Sequence, residues 1–195
     1  MHAAETNLAF VRIMLGEFEA YLLSDELYWP VDSSSLRLPY PPRLTPGRLA
    51  LTLDELEVQS EDMTPAQQAE SRKLNLQAES IFQKWSAALG RKAAREMHSR
   101  LNLWKAYVHD LVEHADRADN YTHEVQQRVI FERITGWAES EPEAEQSIEA
   151  VRPVDAALRS IFKVGEFIWD ARLRSCYPQE QYWFLYGVPV LNDGV

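Results

Sequence analysis

AREMHSRLNLWKAYVHDLVEHA, residues 94–115, is the most regular stretch of the chain. Ala94, Met97, Leu101, Trp104, Val108, Leu111 and Ala115 follow one another at alternating steps of three and four residues. A helix completes one turn in about 3.6 residues, so such steps return to one side and make a seam for packing along another helix. Leu103, Tyr107 and Ala118 widen the apolar arc on one flank. An arc that broad serves two neighbours, which places this helix in the middle of a bundle.

The same stretch holds the side chains closest to chemistry: His109, Asp110, Glu113 and His114. Each residue advances a helix by about 100° and about 1.5 Å. His109 and Glu113 therefore face one way, and Asp110 and His114 another. His109 and His114 stand about 140° apart, and His98, which shares a face with His109, is about 16 Å away along the axis. These histidines cannot share one ion. The residues three before His98, His109, His114 and His123 are Arg95, Ala106, Leu111 and Asn120. The Glu-x-x-His pairs of a di-iron carboxylate bundle are thus absent, and so is His-Glu-x-x-His. Lys105, His109, Glu113 and Arg117 instead form a row at four-residue spacing, away from the seam. Glu113 precedes Arg117 in the order that favours a helical ion pair, so the row reads as solvated surface. His109 and Glu113 are the one pair a metal could use, with His123 or a glutamate from another helix as third donor.

Outward from this stretch the pattern stays helical. Leu8, Val11, Met14, Leu15, Phe18, Tyr21 and Leu22 predict an amphipathic helix over about 4–24. Residues 26–47 carry most of the prolines and a serine run, and form an ordered strap rather than a helix. Thr45-Pro46 and Thr64-Pro65 each place a capping hydroxyl before a proline at the first helical position. The first opens a helix to about 59. The second opens a longer one with Leu74, Ala78, Ile81, Phe82, Trp85 and Leu89 on its stripe, where Gly90 either stops it or lets it run on.

Beyond the seam, Val125, Val129, Ile130, Ile134 and Trp137 predict a helix over 121–138. Residues 138–150 are acidic and read as a solvated turn leading into a short helix. Val154, Leu158, Ile161, Phe162, Ile168, Trp169 and Leu173 predict a last helix over 153–176, with Gly165 inside its stripe. Residues 177–195 form an apolar, aromatic tail that needs to dock. The expected fold is all-α and a single domain over residues 1–195. It is a bundle of four to five main helices with the strap and the docked tail.

Composition narrows the function by exclusion. A net charge of -10 repels phosphate backbones and anionic membrane surfaces, so neither nucleic acid nor a membrane is an expected partner. The N-terminus lacks the basic start of a signal peptide, no apolar run reaches spanning length, and Cys176 is the only cysteine; together these predict a cytoplasmic protein. Seven scattered glycines leave no phosphate-cradling loop, and no Gly-x-Ser-x-Gly elbow occurs.

Surfaces remain. Tyr28, Trp29, Tyr40, Tyr182, Trp183 and Tyr186 are residue types that anchor interfaces, unless strap and tail pack on each other to complete the core. The leading expectation is a non-catalytic helical interaction or regulatory protein, bound to a protein partner or to itself, with no cofactor. The alternatives are a metal-dependent helical-bundle enzyme on His109 and Glu113, and a carrier of a hydrophobic ligand.

Overall fold

A computed structural model of the protein describes residues 3–32 and 43–190, with backbone alone at residues 3 and 115–117. The chain folds as an all-α protein around the helix that holds the seam, α4 (Ser86–Glu113). Ala94, Met97, Leu101, Trp104, Val108 and Leu111 are all buried, with Leu101 the most accessible at 6%. The side chains of Ala115 and Arg117 lie outside the described ones.

Three helices precede α4. They are α1 (Ala3–Leu23), α2 (Pro46–Val58) and α3 (Pro65–Lys84). The two threonine-proline starts form as read: Thr45 Oγ1 accepts the Arg48 N–H, and Thr64 forms a reciprocal capping box with Gln67. Helices α1, α2 and α3 close a first apolar cluster, in which Val11, Met14, Phe18, Tyr21, Leu49 and Leu56 are all inaccessible. The described part of the strap lies against it. A short antiparallel pairing joins β1 (Trp29–Pro30) to β2 (Arg43–Leu44).

The boundary between α3 and α4 falls at Trp85, not at Gly90. Trp85 has φ -113° and ψ 26°, yet its N–H still reaches the Ile81 carbonyl and its own carbonyl still accepts from Leu89. The chain bends there without losing its helical bonds. Gly90 lies buried inside α4, where an added Cβ would meet the Trp137 carbonyl oxygen at 3.0 Å. Its service is close approach.

Past α4, a 3₁₀ turn leads to α5 (Tyr121–Glu124) and α6 (Gln126–Ile134), followed by α7 (Pro142–Ser160). Here the predicted helix over 153–176 is corrected. α7 begins at Pro142, carries Pro153 in its interior and ends at Ser160. The acidic segment therefore supplies half of a long helix. The chain then turns into β3 (Phe162–Phe167), which pairs antiparallel with β4 (Tyr186–Pro189) in the tail. Gly187 explains the switch, since it sits at φ +144° and a Cβ there would stand 2.2 Å from the Lys163 carbonyl oxygen. Gly165 accordingly lies in a strand beside Gly187 rather than in a helix.

α4, α6, α7 and the tail enclose a second cluster, to which the tail contributes Tyr177, Tyr182, Phe184, Leu185 and Tyr186. Strap and tail thus complete different clusters, and α4 runs through both: Ala88 and Leu89 belong to the first, Ala93 onward to the second.

Candidate functional site

α4 and α7 lie side by side and run in the same direction. Gly90, near the start of α4, abuts the turn just before α7, and further along Trp104 Nε1 donates to Asp155 Oδ1 at 3.2 Å. Asp155 is fixed in turn by Arg128, whose Nη2 lies 3.0 Å from Oδ2, while Nη1 holds Glu132 at 2.7 Å. Burial works against the Arg128 charge, but the two carboxylates more than offset it and raise its pKa. Phe184 of the tail stacks under the same guanidinium at 4.7 Å. The pair of helices is therefore clamped through a buried ionic network on one side.

On the other side a groove of about 480 Å³ stays open between them. Val108 and Val154 form its floor, and Val112, Ala150, Pro153 and Ala157 form its walls. The α7 side is shallow because its outward residues are small. Val112 is 48% exposed. Lys105, His109 and Glu113 make the polar rim along α4. The volume lies within the usual range of about 300–1,000 Å³ for small-molecule pockets.

His109 and Glu113 come together as the helical spacing predicts, Nε2 to Oε1 at 3.6 Å, with both side chains more than half exposed. Among the described residues no three His, Cys, Asp or Glu side chains converge on one point where an ion could sit. His98, His114 and His123 are exposed, and His114 turns back to the Asp110 carbonyl.

The five aromatic candidates among the described residues are buried or half-buried against the molecule's own elements. Tyr28 Oη lies 2.7 Å from Ser99 Oγ of α4, and Trp29 Nε1 donates to Glu17 of α1 at 2.6 Å. Tyr182 and Tyr186 are buried in the second cluster, where the Tyr186 hydroxyl donates to the Tyr177 carbonyl. Trp183 is half-buried between Phe162 and the Arg159 guanidinium, which stands 3.6 Å over its ring. Tyr40 lies outside the described residues.

A second cavity, polar and of about 540 Å³, opens where α2, α6 and the tail meet. At its base Arg133 grips Asp54 with two bonds of 2.9 and 3.0 Å, and the Tyr177 hydroxyl donates to the same carboxylate at 3.0 Å. These groups satisfy one another and lock three segments together. Cys176 lines this cavity; burial, then Asp54 and Glu57, push its thiol pKa up, so the reactive thiolate is disfavoured.

Sequence reasoning missed the α7 half of the groove. The spacing of Ala150, Pro153 and Ala157, small residues at helical steps, was its only trace. The buried charges were invisible too. Lys92 Nζ closes the end of α1 through Ser24 Oγ and the Glu26 carbonyl, and Glu96 anchors the start of α2. No family model, curated protein or solved structure matches the chain.

Proposed function

We propose that the protein is a non-catalytic interaction protein of the cytoplasm that receives an apolar segment of a protein partner in the α4/α7 groove. The observation that supports this reading is the groove itself, an apolar floor with a polar rim in a molecule whose large aromatic residues pack inward. Its open side favours a segment over a small molecule. A ligand there stays wet along one face, whereas a helix brings its own polar face to cover the opening. His109 and Glu113 then act as rim, not as metal ligands. The single, poorly reactive cysteine suits a reducing compartment. No described helix is long and apolar enough to cross a membrane.

Methyl NMR tests the reading. A model amphipathic peptide of Leu, Ala and Lys should shift the methyls of Val108, Val112 and Val154 saturably, and Ala157→Asp should abolish the shifts without changing the melting temperature. Shifts produced by a free fatty acid and not by the peptide would favour the carrier instead. Stoichiometric zinc or iron lost in His109→Ala would favour the enzyme.

A further inference from the structure

We infer that the polar cavity between α2, α6 and the tail binds a free α-amino acid, with its carboxylate on Arg133 and Tyr182 and its ammonium on Glu57. The cavity shares no lining residue with the α4/α7 groove, and what it binds does not depend on what docks there. α2 contributes Asp54 and Glu57, α6 contributes Glu132 and Arg133, and the tail contributes Cys176, Gln181 and Tyr182. Several of these groups are already engaged. Both Asp54 oxygens are taken by Arg133, and Oδ2 also receives the Tyr177 hydroxyl. The Glu132 oxygens are held by Arg128 Nη1 at 2.7 Å and by Gln181 Nε2 at 3.1 Å.

Three groups are left over. Tyr182 is 4% exposed and packs on Tyr177 and Phe184, yet its hydroxyl bonds no described residue. A phenol buried to that degree ordinarily finds a partner. The charges that act on its oxygen are those of Arg133, Glu132 and Asp54, all lining the cavity, and of Arg128 behind Glu132. The hydroxyl therefore opens into that space. Arg133 engages Asp54 through Nε and Nη2, and its Nη1 has no described partner. Glu57 is exposed, and its carboxylate bonds no described residue. Glu57 and Arg133 both act on the Cys176 thiol, which sets them around one wall.

The cavity thus offers two donors without an acceptor and one carboxylate without a donor. A ligand carboxylate accepts from Arg133 Nη1 and from the Tyr182 hydroxyl in charge-assisted bonds. A ligand ammonium donates to Glu57. A simple cation would leave both donors unanswered, and a simple anion would stand beside Glu57 with nothing to offset it. Among the described residues no three ligating side chains converge on one point, so a bare ion gains no shell here. A volume of about 540 Å³ suits a small molecule, and the polar walls suit a polar side chain on it.

The test titrates the full chain with L-glutamine, with its α-amide, which lacks the carboxylate, and with N-acetyl-L-glutamine, which lacks the ammonium. Calorimetry reads affinity, and the Tyr182 ring signals in NMR locate the site. L-glutamine should shift those signals saturably and bind about tenfold more tightly than the α-amide. Tyr182→Phe should weaken L-glutamine by about tenfold and leave the α-amide unaffected. Glu57→Gln should weaken L-glutamine by about threefold at low salt and should not weaken the N-acetyl compound. The Tyr182 hydroxyl bonds nothing in the protein, so the melting temperature of Tyr182→Phe should stay within about 2 °C of the parent. A larger fall means that the hydroxyl serves the fold and overturns the assignment. Equal affinity for all three probes, L-glutamine binding unaltered by both variants, or no Tyr182 shift at millimolar concentration overturns it as well.

Discussion

Glu96 is the side chain whose loss should cost most for the smallest change in shape. It is wholly buried in the middle of α4. Its Oε1 receives Thr45 Oγ1 at 2.7 Å and Arg100 Nε and Nη2 at 3.0 and 2.7 Å, and its Oε2 receives the Gly47 N–H at 2.8 Å. It therefore ties the first turn of α2 to α4. In Glu96→Gln the amide oxygen can take over the three donors at Oε1. The amide nitrogen then faces the Gly47 N–H, donor against donor. The Gly47 N–H loses its acceptor and the new amide N–H finds none, at about 1–3 kcal/mol each, and the Arg100 bonds lose the carboxylate charge and keep only that of the guanidinium. Against this stands relief from burying a charge, which can make neutral replacements harmless when both partners go. Here only one partner changes and Arg100 stays, with its side chain only 13% exposed. The loss wins, at about 4 kcal/mol.

A loss of that size is a large share of the roughly 5–15 kcal/mol that keeps a domain folded, and it should lower Tm by about 10 °C. Calorimetry measures it, and hydrogen exchange locates it, since the Gly47 amide should exchange faster in the variant. A Tm within about 2 °C of the parent, or a Gly47 amide exchanging at the parent rate, would refute the reasoning.

Two glycines should respond in opposite directions. Gly16→Ala, exposed in α1 with nothing within 4 Å of the new methyl, should stabilise by up to about 1 kcal/mol in urea denaturation. Gly187→Ala should cost several times more or prevent folding, because φ is +144° and the methyl would stand 2.2 Å from the Lys163 carbonyl oxygen. Burial raises Tyr107 and Tyr182 up to about 12, and Tyr21, Tyr121 and Tyr177 further. An unfolded phenol titrates near about 10, so the neutral rings stabilise the fold fully below that pH and lose this effect as pH rises through 12. Phenolate absorbance from these five should therefore appear together with loss of helical circular dichroism, and early ionisation with the helices intact would count against their burial.

The seam of α4 was legible because alternating three- and four-residue steps encode burial directly, and every described seam residue is buried. The caps at Thr45 and Thr64 were legible because their chemistry is local. What failed was specified at a distance. Phe162, Ile168 and Leu173 mimic helical spacing, but the strand at 162–167 is set by its partner, and above all by Gly187. The bend at Trp85 lies where the chain still serves the first cluster on both sides, before α4 passes into the second at Ala93, and no local pattern records it. The start of α7 hid behind its glutamates, although Ala144, Ser147, Val151, Val154 and Leu158 repeat the three- and four-residue steps with small or hydroxylated members. The groove escaped for a related reason: periodicity shows which faces are filled, not which are left shallow.

α4 divides its circumference three ways, and the division accounts for the groove. Its seam is consumed by the two clusters, and its polar row faces water. At the edge of the seam Val108 and the exposed Val112 form a line that a large residue on α7 would have covered. Instead α7 presents Ala150, Pro153 and Ala157 there. Pro153 also gives up a helical N–H at this point, a cost that buried packing does not call for because the residue is exposed. An apolar strip left open in this way would invite aggregation if it were bare. The rim of Lys105, His109 and Glu113 limits that risk. In the proposed reading His109 and Glu113, the pair that looked most like chemistry in the sequence, serve as that rim and need no third ligand.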